Sequence, residues 1–237
     1  MELNNPNFLK NNNTFLTIYG RNLLPELDII LPDNYLVVTM EDLWEEYKNH
    51  FQNKTKQVYI VSGLDKIKVD NDFKKQNNFT CVVGIGGGQS LDLAKYFAWK
   101  SGTKLFQVPT SMSVNATFGH RAAIRVDGNV KYVGWTVPEA VYVDLDIIKK
   151  APKKFNRSGI CEIMCYHTAH LDWKYASKLG KCEEKWPYDQ SAVDEAQSVL
   201  DYMLEGIDDI RKVNDDGIKR LMNANAWGGA AFHNFGW

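Results

Sequence analysis

The stretch Val82–Lys95, VVGIGGGQSLDLAK, leads an apolar run through a cluster of glycines into an amphipathic segment. The apolar run predicts a buried strand, and the spacing of the apolar residues after the glycines predicts a helix. Glycines at such a turn let the backbone adopt positive φ and approach a ligand closely, because no Cβ intervenes. At the carboxyl end of a parallel strand they also expose the first-turn amides of the helix, which suit a phosphate or pyrophosphate.

The spacing of these glycines leaves two interpretations open. Gly84, Gly86, Gly87 and Gly88 fit neither G-x-G-x-x-G nor the phosphate loop G-x-x-x-x-G-K-[ST]. A tight strand-to-helix turn without any ligand would use the same residues. The predicted position is nevertheless the edge at which open α/β sheets bind their ligands.

Strand and helix signals alternate through the first 150 residues. Amphipathic segments separate short apolar, β-branched runs at residues 35–39, 58–61, 81–85, 105–108 and 140–144. Strand, helix and strand in repetition predict a parallel sheet covered by helices. Two further β runs surround Asp127-Gly128-Asn129, which is typical of a hairpin.

Beyond Ile147 the strand signal stops and helical periodicity takes over. Helices are predicted at residues 158–180, 191–213 and 215–227. We therefore expect an α/β region followed by an all-α region. Residues 1–150 would form a Rossmann-like, dinucleotide-binding domain with a parallel sheet, and residues 151–237 the start of a helical C-terminal domain.

Composition and charge exclude several classes of partner. The formal net charge is −1, which gives no general attraction to nucleic acid or to anionic membranes. The four cysteines contain no C-x-x-C pair, so reduced thiols in a cytoplasmic protein are expected. We find neither an export signal nor an apolar run of about 18 residues, and expect no membrane span.

Further residues around the glycines resemble a known superfamily. GGGQSLDLAK resembles the GGGS-x-x-D-x-AK element of metal-dependent dehydrogenases in the dehydroquinate synthase-like superfamily, which includes iron-containing alcohol dehydrogenases and glycerol-1-phosphate dehydrogenase. VPTSMS at residues 108–113 and VYVDLDIIKKAP at residues 141–152 are similar to its next two elements. Residues 158–176 resemble its first C-terminal helix, including the DW of glycerol-1-phosphate dehydrogenases, which look like the nearest relatives.

The resemblance implies that the glycine turn holds the pyrophosphate of NAD or NADP. The residues that take this role by position are Gly87, Gly88, Gln89, Ser90 and Asp92. The segment that contacts the cofactor near its nicotinamide end is matched by Thr110, Ser111, Met112 and Ser113. A solvated or capping carboxylate is the alternative for Asp92, and loop-capping hydroxyls are the alternative for Thr110 and Ser113.

The same resemblance implies residues for substrate and metal. Asn115 falls where relatives carry a substrate-contacting aspartate. A phosphate on the substrate would need a basic partner; Arg121 and Lys131 are available, and the alternative for either is an ordinary surface cation. Glu162 falls where relatives carry their first metal-binding carboxylate, so it is the implied catalytic ligand of Zn²⁺ or Fe²⁺. His170 shares a helix face with Glu162, as a ligand or simply as a packed histidine. Relatives carry two further histidine ligands; only His233 is a candidate here, and we expect an incomplete metal-binding domain.

The implied reaction is hydride transfer between a nicotinamide cofactor and a small polyol or polyol phosphate, with a divalent metal as Lewis acid. Acidic residues at Met40–Asp42 favour NAD over NADP. One alternative is a dehydroquinate synthase-like cyclase, which uses the cofactor transiently and eliminates phosphate. Another is a non-catalytic nucleotide-binding remnant that has lost its metal. A homo-oligomer is left open.

Overall fold

The structure is a computed structural model that describes residues 16–235, with the side chains of residues 230–235 left aside. The chain divides into two compact units. The first runs up to Ser111 and resumes at Gly119–Lys150, and the second comprises Met112–Phe118 and the residues from Ala151 onward. Sequence reasoning assigned Met112–Phe118 to the α/β region, whereas the structure places this segment in the helical unit.

The α/β unit is built on a parallel sheet. Its strands, with the two strands of a separate hairpin, are β1 (Leu16–Gly20), β2 (Tyr35–Thr39), β3 (Lys56–Ile60), β4 (Cys81–Gly86), β5 (Lys104–Pro109), β6 (Ala122–Val126), β7 (Asn129–Val133) and β8 (Ala140–Asp144). The six-stranded sheet has the order β1-β8-β5-β4-β2-β3, and every neighbouring pair is parallel. The predicted α/β fold is confirmed.

Helices cover both faces of this sheet. They are α1 (Leu23–Ile30), α2 (Glu41–Tyr47), α3 (Lys66–Phe73), α4 (Gly88–Ser101) and α5 (Leu145–Lys150). Successive side chains of β2 point to opposite faces, so Tyr35 and Val37 pack in one apolar cluster while Leu36 and Val38 pack in the other. Residues of α1 and α2 belong to the first cluster and residues of α3 and α4 to the second.

The strand order creates a switch point between β2 and β4. From β2 the chain moves outward to β3, and it then returns to β4 on the other side of β2. The crossover helices α2 and α4 therefore lie on opposite faces of the sheet. A crevice opens outside the carboxyl ends of the two strands at such a point, and this is where open α/β sheets bind ligands.

The hairpin of β6 and β7 is antiparallel and packs against α4. Asp127 and Gly128 both have positive φ, at 50° and 78°. This is the geometry of a two-residue type I′ turn, which favours Asp-Gly because both positions need left-handed backbone. The predicted hairpin is confirmed.

The helical unit contains α6 (Lys153–Lys178), α7 (Gln190–Glu205), α8 (Ile207–Lys212) and α9 (Asp215–Phe235). The sequence predicts one continuous helix over residues 191–213, and this is wrong because the helix breaks at Gly206. A Cβ at Gly206 would lie 2.1 Å from Cδ of Arg220, so the side chain of α9 passes where a larger residue would stand. The apolar stripe continues across the break and hides it.

No helix within residues 16–235 is both long enough and apolar enough to cross a membrane.

Candidate functional site

The glycine turn joins β4 to α4 at the carboxyl edge of the sheet. Gly86 has a φ of +145°, and a Cβ there would lie 2.7 Å from Oγ of Ser90. A Cβ at Gly84 would lie 2.6 Å from Cβ of Ala94, so this glycine lets α4 pack closely on β4. Around Gly87 the position of a Cβ has no heavy atom within 4 Å. Two glycines are thus demanded by the fold, whereas the space at Gly87 is open.

The N-terminus of α4 carries no side-chain cap. Gly87 is the N-cap and makes no side-chain capping bond, and the first turn carries no acidic residue. The first helical bond runs from the amide of Leu91 to the carbonyl of Gly87 at 3.1 Å. The amides of Gly88, Gln89 and Ser90 precede that bond and have no acceptor within the helix. These donors and the helix dipole favour an anion at this end.

Two buried hydroxyls lie beside the same turn. Ser90 is fully buried and Thr39, the last residue of β2, is 1% exposed. Within the described part of the chain, neither Oγ of Ser90 nor Oγ1 of Thr39 has a hydrogen-bond partner. Buried hydroxyls are nearly always bonded, so a polar group is expected to approach them. The open space, the amides and these hydroxyls together fit the phosphates of a dinucleotide.

The end of β5 is fastened to the glycine turn. The amide of Thr110 donates to the carbonyl of Gly86 at 3.0 Å. Thr110 is buried and Ser111 is half-buried. The structure therefore brings Thr110 together with Gly87, Gly88, Gln89 and Ser90 on the carboxyl edge of the sheet, with the side chain of Gln89 exposed.

Asp92 is engaged in a buried ion pair. Its carboxylate lies 2.8 Å from Nζ of Lys95, which also donates to the carbonyls of Gly119 and Arg121 at 3.0 and 2.8 Å. Burial raises the pKa of Asp92, and the charge of Lys95 and the amide of Ala123 act against that rise. Burial likewise lowers the pKa of the Lys95 ammonium. The pair ties α4 to the start of β6, so Asp92 is neither a solvated carboxylate nor a helix cap.

Arg121, whose carbonyl accepts from Lys95, directly precedes β6. Its guanidinium carbon lies 5.8 Å from the ring centroid of Trp135, within the range of a cation–π contact. His120, which is buried, meets the same ring edge-on at 5.0 Å. Arg121 is half-buried, so part of the residue stays exposed beside Trp135.

Three of the sequence-predicted residues lie in the segment that belongs to the helical unit. Met112 is fully buried, and its amide donates to Oδ1 of Asn156 at 3.0 Å. The Met112 side chain is thus packed inside the helical unit, and its contact with the cofactor stays a prediction. Ser113 and Asn115 are half-buried. Oδ1 of Asn115 is buried and has no hydrogen-bond partner among the described residues.

Glu162 lies on α6 in the helical unit, half-buried, with Tyr166 and His170 buried along the same helix. Burial raises the pKa of Tyr166, and the charges of Cys165 and Glu162 add to the rise. Burial lowers the pKa of His170, and His167 contributes. His233 lies outside the residues whose side chains are described. Within those residues no group of three or more His, Cys, Asp or Glu could hold a metal ion. Glu162 alone does not make a metal centre.

Sequence reasoning did not single out Lys95, Thr39 or Asn156. Lys95 stands three residues after Asp92, the spacing at which helix side chains pair, so the motif itself carried that signal. Thr39 could be found as the polar residue that ends an otherwise apolar strand. Nothing in the sequence marks Asn156, because its role depends on a segment 44 residues away.

Comparisons with known proteins place the chain in a family. The sequence profile of the iron-containing alcohol dehydrogenases matches residues 33–152, half of the chain. A glycerol-1-phosphate dehydrogenase [NAD(P)+] of Methanococcus aeolicus is 36% identical over 115 residues, which cover 48% of this chain and 31% of the relative. That of Sulfolobus acidocaldarius is 30% identical over 166 residues, covering 67% and 47%. The chain spans about a third to a half of the length of these curated relatives.

Solved structures share the fold. A probable glycerol dehydrogenase from Sinorhizobium meliloti superposes with a TM-score of 0.74 at 18% identity, over 94% of this chain and 67% of that one. Glycerol dehydrogenase from Schizosaccharomyces pombe gives a TM-score of 0.70 at 19% identity, over 94% and 63%. With the profile match, the chain belongs to the iron-containing alcohol dehydrogenase family.

Proposed function

We propose that this chain carries the cofactor-binding site of an NAD(P)-linked oxidoreductase. The enzyme would transfer hydride between the nicotinamide and a small polyol or polyol phosphate, as a glycerol-1-phosphate dehydrogenase does. The relatives named above support the reaction class, and their names favour it over the cyclase alternative.

The glycine turn carries the proposal. Gly87 leaves open space in front of amides that no side chain caps, at the carboxyl edge beside the switch point. A dinucleotide pyrophosphate supplies the negative charge and the acceptors that this arrangement lacks. Ser90 and Thr39 would then donate their hydroxyls to the ligand.

Roles follow from position and exposure. We assign the pyrophosphate to Gly87, Gly88, Gln89 and Ser90, and the region near the nicotinamide to Thr110, Ser111 and Ser113. Asn115 and Arg121 would contact the substrate, Arg121 through a phosphate. Met112 and Asp92 are left out of the ligand contacts, because the structure uses both internally.

A divalent metal, Zn²⁺ or Fe²⁺, belongs to the proposed activity of the whole protein, where it would supply Lewis acidity. Glu162 is the ligand that the described residues would contribute. Since those residues assemble no metal site, we derive no step through a metal. The chain's own contribution is to bind the cofactor, orient its nicotinamide end and present Asn115 and Arg121 to the substrate.

NAD is the proposed cofactor form. Glu41 and Asp42 are exposed in the first turn of α2, directly after β2 at the switch point. A carboxylate there suits a ribose 2′-hydroxyl and repels a 2′-phosphate. Dissociation constants for NAD⁺ and NADP⁺ decide between the two, and tighter binding of NADP⁺ would reverse the assignment.

The experiment that tests the function mixes the protein with NAD⁺ and either glycerol 1-phosphate or glycerol, and follows NADH formation and phosphate release. NADH formation supports the dehydrogenase. Phosphate release without net NADH would argue against the dehydrogenase and for phosphate-eliminating chemistry of the cyclase's kind. Dinucleotide binding without turnover or metal uptake identifies the non-catalytic remnant. A cytoplasmic location and a homo-oligomer stay predictions.

A further inference from the structure

The segment Met112–Phe118 connects β5 to β6, yet it belongs to the helical unit. Both of its neighbours along the chain belong to the α/β unit. It carries Ser113 and Asn115, which the proposed function places at the cofactor and the substrate. What holds this segment therefore decides how these two residues are positioned.

One attachment is a hydrogen bond from a side chain of α6. The amide of Met112 donates to Oδ1 of Asn156 at 3.0 Å, and Asn156 is fully buried. A buried amide left without its acceptor would carry the full desolvation penalty. The Met112 amide is therefore fixed to one point on α6.

The second attachment is a close backbone approach three residues further along α6. A Cβ at Gly159 would lie 1.8 Å from the carbonyl oxygen of Met112 and 3.0 Å from its carbonyl carbon. Real Cβ atoms make no such contacts, so any other residue would push the segment away by more than an ångström. Met112 is thus held at both of its backbone groups: its amide bonds to Asn156, and its carbonyl packs against Gly159.

The other end of the segment rests on α9. A Cβ at Gly229 would lie 3.3 Å from Oδ1 and 3.4 Å from Nδ2 of Asn115, and 3.4 Å from Cβ of Phe118. Phe118 is buried in the same unit. The segment is consequently seated on two helices, and its position follows theirs.

We propose that Asn156 and Gly159 are positioning residues that build Ser113 and Asn115 into the helical unit, which also carries Glu162. This inference rests on the proposed function, because it takes Asn115 as a substrate contact. It adds that Asn115 and the pyrophosphate turn belong to different units of the chain. A change at Asn156 or Gly159 should therefore impair turnover of the polyol. Dinucleotide affinity should change little, because the proposed pyrophosphate contacts lie in the α/β unit.

The test uses Asn156→Leu, which removes the acceptor, and Gly159→Ala, which displaces the Met112 carbonyl. Ser158→Ala is the matched control, because Ser158 lies between them on α6 and is exposed. Each protein is assayed for NAD⁺ dissociation constant, for kcat and KM with the polyol substrate, for helix content by circular dichroism, and for hydrogen exchange at the Met112 amide.

Both variants are expected to keep the NAD⁺ dissociation constant within about twofold and to retain their helix content. Their kcat/KM should fall about 100-fold, the size of loss that a misplacement of about 1 Å brings. The Met112 amide should exchange slowly in the unaltered protein and in Ser158→Ala, and faster in Asn156→Leu.

Unchanged kcat/KM in both variants would overturn the positioning role, and so would a parallel loss of NAD⁺ affinity. If the unaltered protein binds no dinucleotide, the proposed function fails by itself. Hydrogen exchange then tests the bond between the Met112 amide and Asn156 separately. Rapid exchange of this amide in the unaltered protein would show that the bond is absent. Slow exchange that becomes rapid in Asn156→Leu would support the bond.

Discussion

Gly86 and Gly87 are neighbours in the sequence, yet the structure gives them different tasks. Gly86 has a φ of +145° and faces Ser90, so the fold itself requires a glycine there. Gly87 has a φ of −89°, which any residue adopts, and open space around it. A glycine that the fold does not need is best explained by a ligand that comes close to its backbone.

The pair gives a prediction that separates binding from stability. Gly87→Val should weaken NAD⁺ binding at least tenfold and change the melting temperature little, because the side chain occupies only the ligand's space. Gly86→Ala is the matched control and should destabilise the protein by roughly 1–3 kcal/mol through its backbone conformation. Titration with NAD⁺ and thermal unfolding measure both. If the two substitutions lower NAD⁺ affinity and the melting temperature equally, Gly87 is needed only for the fold.

Arg121 provides a second prediction for a single residue. Its guanidinium is half-buried over Trp135, and a hydrogen bond to a charged group is worth about 2 kcal/mol. Arg121→Gln should therefore raise KM for a phosphorylated polyol roughly 30-fold and leave KM for the unphosphorylated polyol nearly unchanged. Lys131→Gln, at an exposed position on β7, is the control. An equal rise for both substrates would argue against a phosphate contact.

Helix α4 begins at the glycine turn and packs against the β6–β7 hairpin. The ammonium of Lys95 is enclosed by Asp92 and by the carbonyls of Gly119 and Arg121. Lys95 is the common partner of these three groups. The D-x-A-K part of the motif therefore connects α4 to the residues just before β6. At the other end of the motif, Gly87 and Gly88 are the glycines that we propose contact the ligand.

Lys95→Met should lower the free energy of unfolding by about 3–5 kcal/mol, because it leaves a buried carboxylate unpaired. Lys68→Met removes an exposed pair with Asp72 on α3 and should cost less than about 1 kcal/mol. Urea unfolding of the two variants provides the comparison. A small effect at Lys95 would show that water replaces the ammonium.

Some elements could be predicted from the sequence and others could not. Strands β2 and β8 coincide with the predicted runs at residues 35–39 and 140–144, because strands buried on both faces are continuously apolar. The break between α7 and α8 was missed because the apolar stripe continues through Gly206. Local pattern also could not assign Met112–Phe118 to the helical unit, since contacts with α6 and α9 decide it.

At the scale of the whole molecule, the predicted functions are distributed over two units. The glycine turn, Thr110 and Arg121 lie in the α/β unit, whereas Ser113, Asn115 and Glu162 lie in the helical unit. Apart from Arg121, which was chosen as an available basic residue, the family resemblance indicated each of these positions. Which unit holds which residue could not be predicted, because that depends on long-range packing.

This division predicts the effect of removing metal. A chelator should abolish any turnover of the polyol and leave the NAD⁺ dissociation constant within about twofold, because the pyrophosphate site contains no metal ligand of its own. Turnover assays and NAD⁺ titrations with and without chelator test this expectation. Loss of NAD⁺ binding on chelation would place the metal at the glycine turn.

The most direct test of the central claim is a titration of isotope-labelled protein with NAD⁺, followed by the amide resonances of the backbone. We expect the amide resonances of Gly87, Gly88, Gln89 and Ser90 to shift first and most strongly, and those near Thr39 and Thr110 next. Saturating NAD⁺ that leaves these amides unmoved, or that shifts only residues elsewhere, would contradict it.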